Sequence, residues 1–127
     1  IGVDGQTVLL LVQERSSLPG PARPSGVYAS HDGGISFTRV LTDSASTPLA
    51  DGGTHFWAHP GDPNVVYFEF ADIGASAPSY LYRYDARTGA VTSVSWPTRE
   101  GSVTAMAFHP TDATVVYLAL SITQPND

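Results

Sequence analysis

One residue of this chain that could do chemistry is Asp32. It stands in the stretch Ser30 to Phe37, which reads S-H-D-G-G-I-S-F. A short carboxylate at this place can accept hydrogen bonds from the backbone N–H groups just ahead of it, in an Asx-type turn. The same oxygens could instead serve a ligand or calcium site. Gly33-Gly34 can take the positive φ angles that a tight turn demands. Ser30 and Ser36 place hydroxyls on the two flanks of the loop. Phe37 is expected to fold beneath the turn and to bury well over about 100 Å². A self-contained structural turn is the role expected of Ser30, Asp32, Gly34, Ser36 and Phe37.

Glu69 is the other acid of interest. It lies on a strand among apolar neighbours, V-V-Y-F-E-F, and is a candidate for an inward or cleft-facing catalytic carboxylate. Among the aromatics, Tyr80, Tyr82 and Trp96 are candidate ligand-binding residues, because aromatic faces stack on sugar rings. Phe56, Tyr67 and Tyr117 read as core residues between neighbouring elements. The histidines carry no His-x-x-His or His-Glu-x-x-His spacing, so no metal site is expected. No Gly-x-Ser-x-Gly motif or phosphate-cradling loop occurs, and cysteine is absent, which removes thiolate chemistry and disulfides. No cofactor is expected.

Charge narrows the partners. Six basic residues, all arginine, face twelve acidic ones for a net charge of −6. Phosphate-based nucleic-acid binding needs a basic face and is disfavoured, as is attachment to anionic membranes. No apolar run approaches the length of a spanning helix, so no membrane insertion is expected. The chain opens inside an ordered-looking segment without Met, which fits a leader already removed.

The elements that must position these residues follow from an internal repeat. Phe56-Trp57-Ala58-His59-Pro60-Gly61-Asp62 and the Val/Tyr-rich run from Val65 to Phe70 align with Met106-Ala107-Phe108-His109-Pro110-Thr111-Asp112 and the run from Val115 to Leu120. His59 and His109 stand 50 residues apart, as do Tyr67 and Tyr117. A fainter copy opens the chain from Ile1 to Leu10. Each copy reads as a strand, a turn of the form His-Pro-x-Asp or Asp-Gly, and a second strand. Asp4, Asp62 and Asp112 fall at that turn, which argues for a structural role.

Between the copies lie further strand-like runs. Val27 to Ser30 and Phe37 to Leu41 are joined by the Asp32 stretch; Tyr80 to Tyr84 and Val91 to Trp96 are joined by D-A-R-T-G. Tyr80, Tyr82 and Tyr84 alternate with Leu81 and Arg83 at a strand's period of two. Two loops, Ser16 to Gly26 and Asp72 to Ser79, are expected to emerge at one end, where binding often resides. Four short strands repeating at 40 to 50 residues are what propeller blades give.

Ser30 to Phe37 matches Ser-x-Asp-x-Gly-x-Ser/Thr-Trp/Phe, and with the H-P-x-D turns the chain resembles the Asp-box, or BNR-repeat, β-propeller superfamily. That group includes sialidase-like proteins, xyloglucanase-type glycoside hydrolases, sortilin-like receptors and photosystem-assembly propellers. The resemblance implies an all-β fold: a β-propeller segment of about two to three four-stranded antiparallel blades carrying one Asp-box. Blade units are expected at roughly 7–58 and 65–108, with part of a further blade at 114–122. Propellers close with about four to eight blades, so two would leave open edges and apolar faces.

The function implied is a non-catalytic segment in carbohydrate recognition or scaffolding, in an extracellular or cell-envelope bacterial protein. Two alternatives are part of a glycoside hydrolase and a protein-binding propeller used in assembly or as a receptor. Partners expected are a polysaccharide or glycan, and other blades of the same propeller or further copies of the chain. Sialidases need an arginine triad, and none of Arg15, Arg23, Arg39, Arg83, Arg87 and Arg99 sits in such a motif. Xyloglucanase-type enzymes resemble other glycosidases in using two facing carboxylates. The candidates for these are Asp4, Glu14, Asp51, Glu69, Asp72 and Glu100.

Overall fold

In a computed structural model of the chain, residues 6–12, 25–42, 54–70, 80–95 and 102–121 are described. They form nine strands: β1 (Val8–Val12), β2 (Gly26–Ser30), β3 (Thr38–Thr42), β4 (Thr54–Ala58), β5 (Val65–Phe70), β6 (Tyr80–Asp85), β7 (Ala90–Val94), β8 (Ser102–Phe108) and β9 (Val116–Ser121). There is no helix among the described residues. The fold is all-β and antiparallel, with three sheets in chain order: β1-β2-β3, β4-β5-β6-β7 and β8-β9.

These boundaries differ from the expected units at 7–58 and 65–108. The strand β4 pairs forward with β5, Ala58 opposite Val66 and Thr54 opposite Phe70. The short His-Pro turn makes that hairpin the nearest pairing available to β4. The sheets therefore span 8–42, 54–94 and 102–121, and the strand counts are three, four and two rather than four throughout.

Alternation along each strand assigns the faces. On β5, Val66 and Phe68 point one way, opposite Tyr84 and Tyr82 of β6 in register. They form one buried cluster with Leu9, Val27 and Ala29 of the first sheet. Burying side chains of this size contributes roughly 1.5–3 kcal/mol each, so this junction is the apolar core. The other face of the second sheet carries Val65, Tyr67 and Glu69 with Leu81, and the third sheet covers it. Phe108 reaches across to Tyr67, ring centroids 5.9 Å apart, and stands edge-on to His59 at 4.5 Å. The second sheet is thus covered on both faces, and the three sheets stack in sequence order.

Candidate functional site

The hairpin from Ser30 to Phe37 is built as a closed network. Asp32 Oδ1 accepts the Ser30 hydroxyl at 2.6 Å and the backbone N–H groups of Ile35 and Ser36 at 3.1 and 3.0 Å; Oδ2 accepts the Ser36 hydroxyl at 2.6 Å. Ser30 Oγ in turn accepts the Gly34 N–H at 2.9 Å. The hydroxyls of Ser30 and Ser36, followed by the loop's N–H groups, hold the Asp32 carboxyl well below the usual carboxylate range. Gly33 and Gly34 have φ of 74° and 93°, which side chains with a Cβ adopt only under strain. The Gly33 N–H donates to Gln6 O at 3.0 Å and fixes the hairpin to the start of β1. Four short bonds from its own loop engage both Asp32 oxygens, and the arrangement is that of a structural turn.

Phe37 lies by the turn, its Cζ 3.9 Å from where a Cβ on Gly34 would stand, and is 40% exposed, while Ile35 at the tip is 87% exposed. The hairpin leads into β3, which among the described residues pairs with β2.

Glu69 lies at the seam between the second and third sheets and is fully buried. Its Oε1 accepts the Val103 N–H, beside the irregularity in β8 between Val103 and Ala105. Its Oε2 is buried without a hydrogen-bond partner and lies 3.5 Å from His55 Nδ1. His55, its side chain 56% exposed, stacks on Trp57 at 5.4 Å. The carboxyl thus joins two sheets.

The His-Pro turns repeat in atomic detail. The His59 N–H donates to Val65 O and the His109 N–H to Val115 O, at 2.9 and 3.1 Å. Each imidazole Nδ1 accepts turn N–H groups: Gly61 at 3.1 Å for His59, Asp112 at 3.0 Å for His109. Both histidines are turn caps. Asp62 and Asp112 accept the N–H groups of Asn64 and Thr114. The Arg87 guanidinium, then the Asn64 N–H, lowers the Asp62 carboxyl, and the Thr114 hydroxyl lowers that of Asp112.

Three long-range ties had no signal in the spacing. Arg87 bridges Asp62 and Asp85, and so clamps the β6–β7 hairpin onto the His-Pro turn. His31, in a variable slot of the motif, bonds Tyr84 Oη at 2.9 Å and links the first sheet to the second. Burial, then the Asp85 charge, pushes the Tyr84 hydroxyl up. The third tie is Glu69 to Val103.

Of the aromatic candidates, Tyr82 is a core side chain, 6% exposed and stacked on Phe68 at 5.4 Å. Tyr80 is half-buried against the same cluster. Trp96 lies outside the described residues, as do Asp4, Glu14, Asp51, Asp72, Glu100, Arg15, Arg23, Arg99 and the stretches 16–24 and 72–79. Among the described residues no three His, Asp or Glu side chains gather as a metal would require.

No protein-family model matches the chain. Among curated proteins it is similar to the dispase autolysis-inducing protein of Streptomyces mobaraensis. The two are 39% identical over 98 residues, which is 77% of this chain and 25% of that protein. The chain therefore spans about a quarter of that relative's length.

Proposed function

We propose that this chain is a non-catalytic segment of an Asp-box β-propeller that serves as a recognition scaffold for a protein partner outside the bacterial cell or in its envelope. The observation that carries the propeller reading is the stacking of successive antiparallel sheets through repeated faces, with the same capped turn joining β4 to β5 and β8 to β9. Ring-like propellers are made by such radial repetition. The absence of catalysis in this segment is supported by what engages its acids. Asp32 is saturated by its own loop, and Glu69 is sealed into an inter-sheet seam. A glycosidase needs carboxyls that reach a sugar.

A protein partner is favoured over a glycan on two grounds. Tyr82 belongs to the core, which weakens the row of tyrosines as a sugar platform. The similar Streptomyces protein is named for inducing autolysis of dispase, an effect on a protein. We infer that this chain binds a protease of that kind.

The test is to immobilise the chain and measure retention of dispase and of a glycan panel by biolayer interferometry. Saturable binding of dispase with no glycan retained is expected. Glycan binding without dispase binding would overturn the reading in favour of carbohydrate recognition.

A further inference from the structure

Among the described residues four large apolar side chains are exposed: Leu10, Ile35, Phe37 and Tyr117. Leu10 and Tyr117 lie on strands β1 and β9, within sheets that adjoining blades of the proposed propeller would cover. Ile35 and Phe37 belong instead to the hairpin that runs beyond the end of β2 into β3. Sheets that stack through their faces leave such strand ends at the rim, and a longer stack does not bury them. Every residue from His31 to Arg39 is exposed, and Ile35 at 87% is the most exposed of the four apolar side chains.

This tip is ordered before any partner arrives. The Ile35 and Ser36 N–H groups both donate to Asp32 Oδ1, the Ser36 hydroxyl donates to Oδ2, and the Gly34 N–H donates to Ser30 Oγ. The Ser36 side chain is thereby drawn into the turn while Ile35 beside it stands out in solvent. A loop fixed in this way gives up little freedom on association.

The same bonds decide how the tip can be engaged. A segment taken up as an extended strand is held through its backbone N–H and C=O groups. Here the N–H groups of Gly34, Ile35 and Ser36 are committed to Ser30 and Asp32, and Gly33 and Gly34 have positive φ. The tip therefore cannot be drawn into a cleavage cleft without breaking its own turn. What it offers is the Ile35 side chain, which has no polar atom and gains most in an apolar pocket.

We propose that Ile35 is the anchor by which this chain engages its protease partner, entering an apolar pocket on the protease outside the cleft that cuts peptides. The inference rests on the protein-partner reading above and adds the residue and the kind of site it meets.

The experiment immobilises the full 127-residue chain and measures dispase retention by biolayer interferometry for wild type, Ile35→Asp, Ile35→Leu and Tyr117→Ser. Ile35→Asp is expected to bind about ten- to a hundredfold more weakly, the loss expected for one anchoring side chain. Ile35→Leu and Tyr117→Ser should bind within about threefold of wild type. Circular dichroism checks folding, and Ile35→Ser replaces the aspartate variant should that one unfold. Initial rates of dispase on a short chromogenic peptide should be undiminished by saturating chain, and mass spectrometry should find the bonds from Gly34 to Ser36 intact.

A wild type that is retained together with a folded Ile35→Asp retained equally well would overturn the anchor and leave the protein-partner reading standing. Competitive inhibition of peptide hydrolysis, or cleavage between Gly34 and Ser36, would place the tip in the cleft and overturn the proposal likewise. A wild type that is not retained at all would sink the protein-partner reading itself, and this inference with it.

Discussion

Replacing Glu69 by alanine removes the carboxyl that bridges the seam to the Val103 N–H. The orphaned N–H would cost about 1–3 kcal/mol, and the one lost methylene about 0.8 kcal/mol. Relief of a buried carboxyl with one unpartnered oxygen offsets part of this. The net expectation is a loss of about 1–3 kcal/mol. Glutamine keeps the shape and the acceptor, so Glu69→Gln should cost only the difference between a charge-assisted and a neutral hydrogen bond, about 1 kcal/mol. Urea denaturation followed by tyrosine and tryptophan fluorescence would measure both. Equal losses for the two variants, or a loss under about 0.5 kcal/mol for alanine, would refute the assignment of Glu69 as a seam residue.

Four further outcomes are expected. Gly34→Ala meets no steric obstacle nearer than Phe37 Cζ at 3.9 Å, so its cost is the backbone strain alone, about 1–2 kcal/mol in thermal denaturation. The Asp32 carboxyl is depressed in the folded state, so its contribution is complete above the unfolded value near 3.9 and is lost as pH falls below it. The stability gap between wild type and Asp32→Asn should accordingly narrow between pH 6 and pH 3, and a gap that widens would contradict the network. His59 is buried against Phe108 while His109 is half-buried. His59→Ala should therefore destabilise by about 2–4 kcal/mol and His109→Ala by about 1 kcal/mol, compared in urea. The Arg87 side chain is half exposed, and Arg87→Ala should cost no more than about 1 kcal/mol, a loss that shrinks in high salt.

Much of this could be read from residues alone, and the reasons differ by element. The strands follow from Val/Tyr-rich runs with period-two alternation, and β2, β3, β5, β6 and β9 lie within a residue or two of those runs. The Asp32 turn was legible because the bonds to its carboxylate are made within seven residues. The His-Pro turns were legible because they occur twice.

Tyr82 was not legible as core. Alternation says that Tyr80, Tyr82 and Tyr84 share a face, but in a sheet covered on both sides it does not say which face meets solvent. Glu69 stood out as an acid among apolar residues. Its partner is a backbone N–H 34 positions away, and no side-chain pattern encodes that.

The two junctions between sheets are unequal in chemistry. The first is a continuous apolar cluster reinforced by His31 and Tyr84, while the second sets a smaller group of buried side chains, Val65, Leu81 and Val103, beside ring contacts and a carboxyl. In a linear array where each unit leans only on its neighbour, local opening starts at the weaker contact. Amide protons of β8 and β9 should then exchange sooner than those of β2 and β5. Fraying would proceed from the carboxyl-terminal hairpin inwards and leave the tyrosine-rich centre as the last part to melt.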